Sequence, residues 1–485
     1  MRFFEPVRRR SGALSLVDQA VQAIERAIQQ RVLRPGMALP SVRQFARDHG
    51  VSAFTVSAAY SRLVAQGWLV SRPGSAYRVA SSAAPPSTAP GPMHWEPPRL
   101  GASWLLADVF ADHSIPIKSG CGWLPSEWVD ESGVQQALRQ VARTPVTQIS
   151  AYGHPYGYYP LREWVQHSLA SHGAQVSTEQ VLLTQGATQA LDCVIRTLIR
   201  PGQAVAVEQP CYANILPALR LSGARILGVP RGPDGLDTDA LEQLARTHNL
   251  RALFVNTVLH NPTGTSLSMP NAFRVLQLAE RYDFRIIEDD VSRELLPGLG
   301  PMLMALGGAR RVVYVSGFSK SIMPSMRVGY VVADAALVKD IATSKMTMGL
   351  TTPELMERAV YHVLRQGRHH QYLLRVQDKL RQAHDAVCDL LDQHGFQVFA
   401  RPQAGLFLWV RPKGAWANKG AGRLAELALQ DGIWLAPGSY FDHQGHDQGW
   451  LRMNVAYSTS PALWAFLRRV GAAQVIESDS KDAHQ

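Results

Sequence analysis

The chain has 485 residues, 46% of them apolar and 18% charged, with a net charge of +10. That composition excludes a wholly disordered polymer, the apolar runs are shorter than the roughly 18 residues a membrane span requires, and the length predicts more than one domain. Four scattered cysteines (Cys121, Cys193, Cys211, Cys388) without a C-x-x-C pair argue against a disulfide framework or a metal centre, and Met1-Arg2-Phe3-Phe4-Glu5-Pro6 lacks the apolar core of a signal peptide, so the cytoplasm is the expected compartment.

The positive charge is concentrated at the front. Residues 1–80 hold twelve arginines against four acids, a balance of +8, and the other 405 residues are close to neutral. A basic module on a neutral body points to a polyanion such as nucleic acid. Leu14, Val17, Val21, Ile24 and Ile28 form one helical stripe, which Arg34-Pro35-Gly36 is expected to end. Ser41-Val42-Arg43-Gln44 matches a capping box for a short helix stopping at Gly50. Ser52 caps a third helix, with Val51 and Val56 as a hydrophobic staple, and that helix stops at Gly67. Trp68-Leu69-Val70-Ser71 and Tyr77-Arg78-Val79 flank a turn, Arg72-Pro73-Gly74-Ser75-Ala76, as a strand-turn-strand wing. Two helices joined by a tight turn suit the major groove, where the second presents its first residues to base edges. Those residues are Ser52, Ala53, Thr55 and Ser57, with Arg43 placed for a phosphate or a guanine and Arg72 and Arg78 for the backbone.

Residues 12–80 therefore read as a winged helix-turn-helix. Residues 81–112, rich in Pro, Ser and Ala, read as a linker, and 476–485 as a polar tail. Between them, over 113–475, strand-like and helix-like segments alternate. Ala252-Leu253-Phe254-Val255 leads to Asn261-Pro262-Thr263-Gly264, Arg285-Ile286-Ile287 to Glu288-Asp289-Asp290, and Val312-Val313-Tyr314-Val315 to Ser316-Gly317-Phe318-Ser319-Lys320. Apolar runs without alternation suit parallel strands buried on both faces. Ligands of such sheets bind at the strands' carboxyl ends, which would gather Asn261, Asp289 and Lys320 round one crevice. Those residue types serve a carbonyl cofactor on a pyridine ring. A lysine can form a Schiff base, a carboxylate keeps the ring nitrogen protonated, and an amide stands by the ring hydroxyl. Gly186-Ala187-Thr188, opening a helix, and Arg327 supply a phosphate site.

Arg34 to Arg43 and Val51 to Val56 resemble the GntR-type winged helix, though Ala53 stands where that family often has Arg, and Ala76 where it has Gly. The region over roughly 115–472 resembles a fold-type I aminotransferase. That resemblance implies an α/β fold: a large domain with a mostly parallel sheet and a smaller C-terminal α+β subdomain. It implies pyridoxal 5'-phosphate held as an aldimine by Lys320, with Asp289 on the ring nitrogen, Asn261 on O3', and Arg327 with the backbone of Ala187 and Thr188 on the phosphate. It further implies Tyr212 stacked on the ring, Tyr152 reaching the phosphate of a partner subunit, and Arg452 pairing with a substrate carboxylate. Gly317 stands where a phosphate-binding Ser or Thr is usual, with Ser316 adjacent, and Val291 and Ser292 stand where a tyrosine normally donates to O3'. The second departure favours sensing over turnover.

The two resemblances in this order are those of MocR-type regulators. They imply a homodimer that binds double-stranded operator DNA, with pyridoxal phosphate and an amino acid or amine as effector, and no membrane partner. Two alternatives are a working aminotransferase with an accessory DNA-binding arm, and a regulator whose large domain is only a dimerising scaffold.

Overall fold

A computed structural model describes residues 15–71, 76–80, 115–413 and 420–469. Leu14, the wing tip with Arg72, the linker over 81–112 and the tail over 476–485 lie outside the described residues. The chain divides into two units, Met1–Trp95 and Glu96–Gln485, each described by itself.

In the first unit, α1 (Leu16–Gln29), α2 (Val42–His49) and α3 (Ala53–Ala65) precede a two-stranded antiparallel ribbon, β1 (Leu69–Val70) and β2 (Arg78–Val79). The stripes on the helices meet in one core of Val21, Ile24, Ile28, Phe45, Val56, Tyr60 and Leu63. Each large side chain so buried contributes roughly 1.5–3 kcal/mol. The Tyr60 hydroxyl, in this core, donates to the Pro40 carbonyl (3.0 Å), so burial strands no donor. Two sequence expectations need correction. α1 ends at Gln29, ahead of Arg34-Pro35-Gly36, because Arg31 turns the chain with φ +60°. Ser41 does accept from Gln44 N (3.2 Å), but the Gln44 side chain donates to Asp48 and accepts from Arg47 instead of returning to the cap, so the box is only half made.

The second unit is built on an eight-stranded sheet. Its strands are β3 (Val181–Thr184), β4 (Ala204–Gln209), β5 (Arg225–Gly232), β6 (Gly235–Leu236), β7 (Leu250–Val255), β8 (Arg285–Asp289), β9 (Val312–Gly317) and β10 (Gly329–Val332). Their order is β3-β10-β9-β8-β7-β4-β5-β6. β9, β8, β7, β4 and β5 run parallel, while β10 is antiparallel to both its neighbours and β6 to β5. Alternate residues enter two separate cores: Leu253, Val255, Ile286 and Val312 face one, and Ala252, Phe254, Ile287 and Val313 the other. Burial on both faces is why these segments read as unbroken apolar runs.

A second, antiparallel sheet follows, in the order β11 (Phe396–Val398), β12 (Phe407–Pro412), β14 (Leu451–Asn454), β13 (Ala436–Pro437). It shares a core with helices Arg368–Gln393 and Ala421–Gln430. The segment from Ile115 to Leu124 returns across this sheet: Ile117 bridges Ile433, Gly120 N donates to Trp434 O (2.7 Å), and Asn454 N to Ser119 O (2.6 Å). The fold is therefore α/β with a smaller α+β part. Among the described residues no helix is long and apolar enough to cross a membrane.

Candidate cofactor cleft and nucleic-acid interface

The carboxyl ends of β7, β8 and β9 open on one cavity of about 170 Å³ and a smaller annex. Asp289 is the last residue of β8, Lys320 lies just beyond β9, and Asn261 sits on the turn after β7, so all three reach the annex. Ala187, Thr188, Tyr212, Arg327 and Arg452 line the main cavity.

Lys320 donates to the Gly122 carbonyl, and its amine is brought down to about 8, first by burial and then by the Arg452 guanidinium. Burial pushes the Asp289 carboxyl up to about 7, with neighbouring Asp290 adding to the rise. Asn256 donates to the Asp289 backbone carbonyl (2.7 Å), and behind it Arg231 pairs with Glu208 in a fully buried network. Arg452, on β14, donates to Asn261 Oδ1 (2.8 Å) and to Gly120 O (2.6 Å). The Tyr212 hydroxyl accepts from Asn214 Nδ2 (3.0 Å).

The backbone approaches closely at the candidate phosphate end of the cleft. Helix Gly186–Leu198 starts against β10, where a side chain at Gly329 would lie 2.5 Å from Gly186 C and 2.6 Å from Ala187 N. Gly186 has φ +79°, and a Cβ there would meet Arg327 Nη2 at 2.6 Å. A guanidinium thus stands at a helix start whose first N–H groups have no partner inside the helix. Tyr152 is 83% exposed in the single chain. The segment after it is pinned from below by Lys345, a buried side chain that donates to Pro155 O and Leu183 O (2.8 Å each), while Glu357 accepts from Tyr158 N (2.8 Å).

These residues fit pyridoxal phosphate. Asp289 Oδ1 is buried and bonded to nothing among the described residues, an arrangement costing about 1–3 kcal/mol unless a donor meets it, and a protonated pyridine nitrogen is such a donor. The Gly186–Gly329 cradle and Arg327 suit a phosphate at the other end.

Ser316 stands apart from this cleft: it is buried and donates to Asp290 O (3.0 Å), whereas Ser319 lines the cavity. Val291 lines both cavity and annex, and Ser292 the annex alone. Sequence reasoning missed Gly122, Trp123, Asn214, Ser319 and Trp434 on the cavity wall. Asn214 and Ser319 were within two residues of named positions. Gly122, Trp123 and Trp434 carried no local signal: the first two arrive on the returning Ile115–Leu124 segment, and Trp434 stands just ahead of β13, where that segment bonds to it.

In the first unit, Ser52, Ala53 and Ser57 are exposed at the start of α3, as is Arg43 at the start of α2. Thr55 is a correction: it is buried, and its hydroxyl bonds Ser52 Oγ (2.8 Å), so it supports the cap and faces the core. Arg78 is exposed and donates to Gly36 O (3.0 Å). Phe54, which sequence reasoning passed over, is 82% exposed.

Residues 131–470 match the family model described as aminotransferase class I and II, and residues 16–79 the one described as bacterial regulatory proteins, gntR family. A 2-aminoadipate transaminase of Thermus thermophilus is 31% identical over 77% of this chain and 94% of its own length. An uncharacterized HTH-type transcriptional regulator of Escherichia coli, YjiR, is 28% identical over 92% of this chain and 96% of its own. Among solved structures, the α-aminoadipate aminotransferase LysN of Thermus thermophilus, complexed with N-(5'-phosphopyridoxyl)-L-leucine, superposes with a TM-score of 0.67 at 28% identity, covering 74% of this chain and 93% of that one.

Proposed function

The chain belongs to the class I and II aminotransferase family and carries ahead of it a gntR-type regulatory module, the make-up of MocR-type regulators; on that premise we propose a homodimeric transcription regulator, working in the cytoplasm, that binds operator DNA through the winged helix-turn-helix of residues 12–80 and senses an amino compound in the domain over 113–475, across the 81–112 linker. One observation carries the reading. A cleft with Asn261, Asp289, Lys320 and Arg452 on its walls shares a chain with an Arg-rich unit whose α3 leaves Ser52, Ala53 and Ser57 outward.

Pyridoxal 5'-phosphate is the family's cofactor, and when bound it supplies a carbonyl to which amines attach and a ring that draws off electron density. Asp289 holds a proton between its carboxyl and the pyridine nitrogen, and Asn261 orients the ring hydroxyl. Arg327 and the backbone N–H groups of Ala187 and Thr188 bind the phosphate, and Tyr212 packs on the ring. Tyr152, so exposed in one copy, completes the phosphate site of a second copy. Lys320, with its lowered amine, is the attachment point, and Arg452 binds the carboxylate of an amino acid effector in a bidentate fork. Val291 has no hydroxyl, and Ser292 only a short one, where the family's tyrosine would donate, so the site is built to hold its ligand more than to turn it over. On the DNA side, Arg43 contacts a phosphate or a guanine and Arg72 and Arg78 the backbone, with Ser52, Ala53 and Ser57 at base edges.

The test is operator affinity of the full-length protein without cofactor, with pyridoxal phosphate, and with cofactor plus a panel of amino acids and amines, occupancy being followed by absorbance. Affinity that changes with occupancy is the expected result. Equal affinity in all states sinks the sensor reading and leaves a scaffold. Identity to a transaminase favours a second reading, a working enzyme with an accessory DNA arm. Catabolic turnover with any amino acid of the panel selects it.

A further inference from the structure

We propose that Phe54 is the principal base-reading side chain of α3, and that it recognises the 5-methyl group of a thymine in the major groove. The proposal rests on the reading of the first unit as a DNA-binding module. α3 has two faces. Thr55, Val56, Ala59, Tyr60 and Leu63 point into the core. Ala53, Phe54, Ser57 and Ser61 point outward, at helical spacing. Ser52 is outward too, but its hydroxyl oxygen accepts from Thr55 N (3.0 Å) and bonds Thr55 Oγ1 (2.8 Å). Arg62, further along, is tied to Asp18 at 2.6 Å.

The first turns of α3 thus present no guanidinium and no amide outward, the groups that read guanine or adenine bidentately. Phe54 is flanked there by Ala53, Ser57 and Ala58. It alone has the length to reach a base past a helix backbone, and its ring is 82% exposed. An aromatic ring held in water at the end of a helix that enters the major groove suits one feature of that groove, the apolar methyl of thymine. Charge argues for DNA over a protein surface as the occupant. The module carries a balance of +8, and Arg43 and Arg47 on α2 are both exposed.

The experiment begins with the full-length protein selecting duplexes from a random 20-base-pair library. Each thymine of the enriched duplex is then replaced singly by deoxyuridine, which removes only the methyl group. Affinities are measured for the native protein, Phe54→Ala and Phe54→Leu, with unfolding curves as a check that the exposed site tolerates the change. The expected result is one thymine per half-site whose replacement weakens native binding about 4-fold, the worth of one buried methyl. Phe54→Ala should lose that sensitivity and Phe54→Leu keep part of it. Undiminished uracil sensitivity in Phe54→Ala, or no sensitive thymine at all, overturns the proposal while the DNA reading stands. A library with no enriched sequence overturns the DNA reading itself. A change in oligomeric state in Phe54→Ala, with uracil sensitivity unaltered, assigns the ring to a protein contact instead.

Discussion

At the residue scale, Asp289 illustrates how a site for a ligand is kept at a cost to the fold. Its carboxyl is raised to about 7 by burial, against an ordinary value near 3.8. A raised value means the folded state binds the proton more tightly than the unfolded one. The group therefore supports folding at low pH, and that support is lost as pH rises through about 7. Asp289→Asn should make the cofactor-free protein more stable than the native chain at pH 8, by on the order of 2–4 kcal/mol, with a smaller gap at pH 5, while weakening retention of pyridoxal phosphate. Urea titrations of both proteins at the two pH values check it; an equal gap would refute it. Lys320 is shifted the other way, to about 8. Its amine is a nucleophile only when unprotonated, so competitive acylation followed by peptide mapping should give Lys320 a titration midpoint near 8, well below that of an exposed lysine. A midpoint near 10.5 would contradict the burial argument. The polar residues at strand ends were legible because a parallel strand's apolar run stops where its cleft begins. Thr55 was misread although the period was available: it lies four residues before Ala59 and eight before Leu63, on the inner stripe.

At the scale of elements, β10 bears on the cleft through one close approach. Gly329 is where β10 passes the start of helix Gly186–Leu198. Gly329→Ala drives a methyl group against Gly186 and Ala187, and the turn must move away from Arg327. The expected outcome is at least a tenfold loss in affinity for pyridoxal phosphate, read by absorbance titration, with DNA binding of the cofactor-free protein unchanged. Retention of native affinity would show that the close approach is not needed. Of the five parallel strands, β7, β8 and β9 were legible from their apolar runs; β4 and β5 were not assigned, nor was β10, a four-residue segment that starts three positions beyond Met326 and shows no direction. The small unit's caps were legible at Ser41 and Ser52, since a capping serine is a local signal. The fate of the Gln44 side chain was not, because it depends on which of Asp48, Arg47 or the cap it meets.

For the molecule as a whole, a regulator of this kind has a reciprocity that can be measured. If occupancy of the cleft changes operator affinity by some factor, operator DNA must change effector affinity by the same factor. The coupling should be about 1–3 kcal/mol, the usual range. Effector titrations with and without saturating operator duplex check it, and unequal factors would show that a third equilibrium, such as dimerisation, intervenes. What sequence could not supply at this scale is the return of the Ile115–Leu124 segment to the wall of a cleft whose other residues lie between Ala187 and Arg452.

The place of β3 at the edge of the eight-stranded sheet has a consequence for synthesis. Among the described residues its one sheet neighbour is β10. At roughly 5–20 residues per second a ribosome needs about 7–30 s to travel from one to the other. Through that interval Val181, Leu182 and Leu183 have no strand to pair with, and the turn that follows them has no Gly329 to settle against. The winged helix-turn-helix, by contrast, closes its core by Val79. On the nascent chain the gntR-type module can close its core while the sheet that carries the cleft is still unfinished, so the two halves of the protein become foldable at different times.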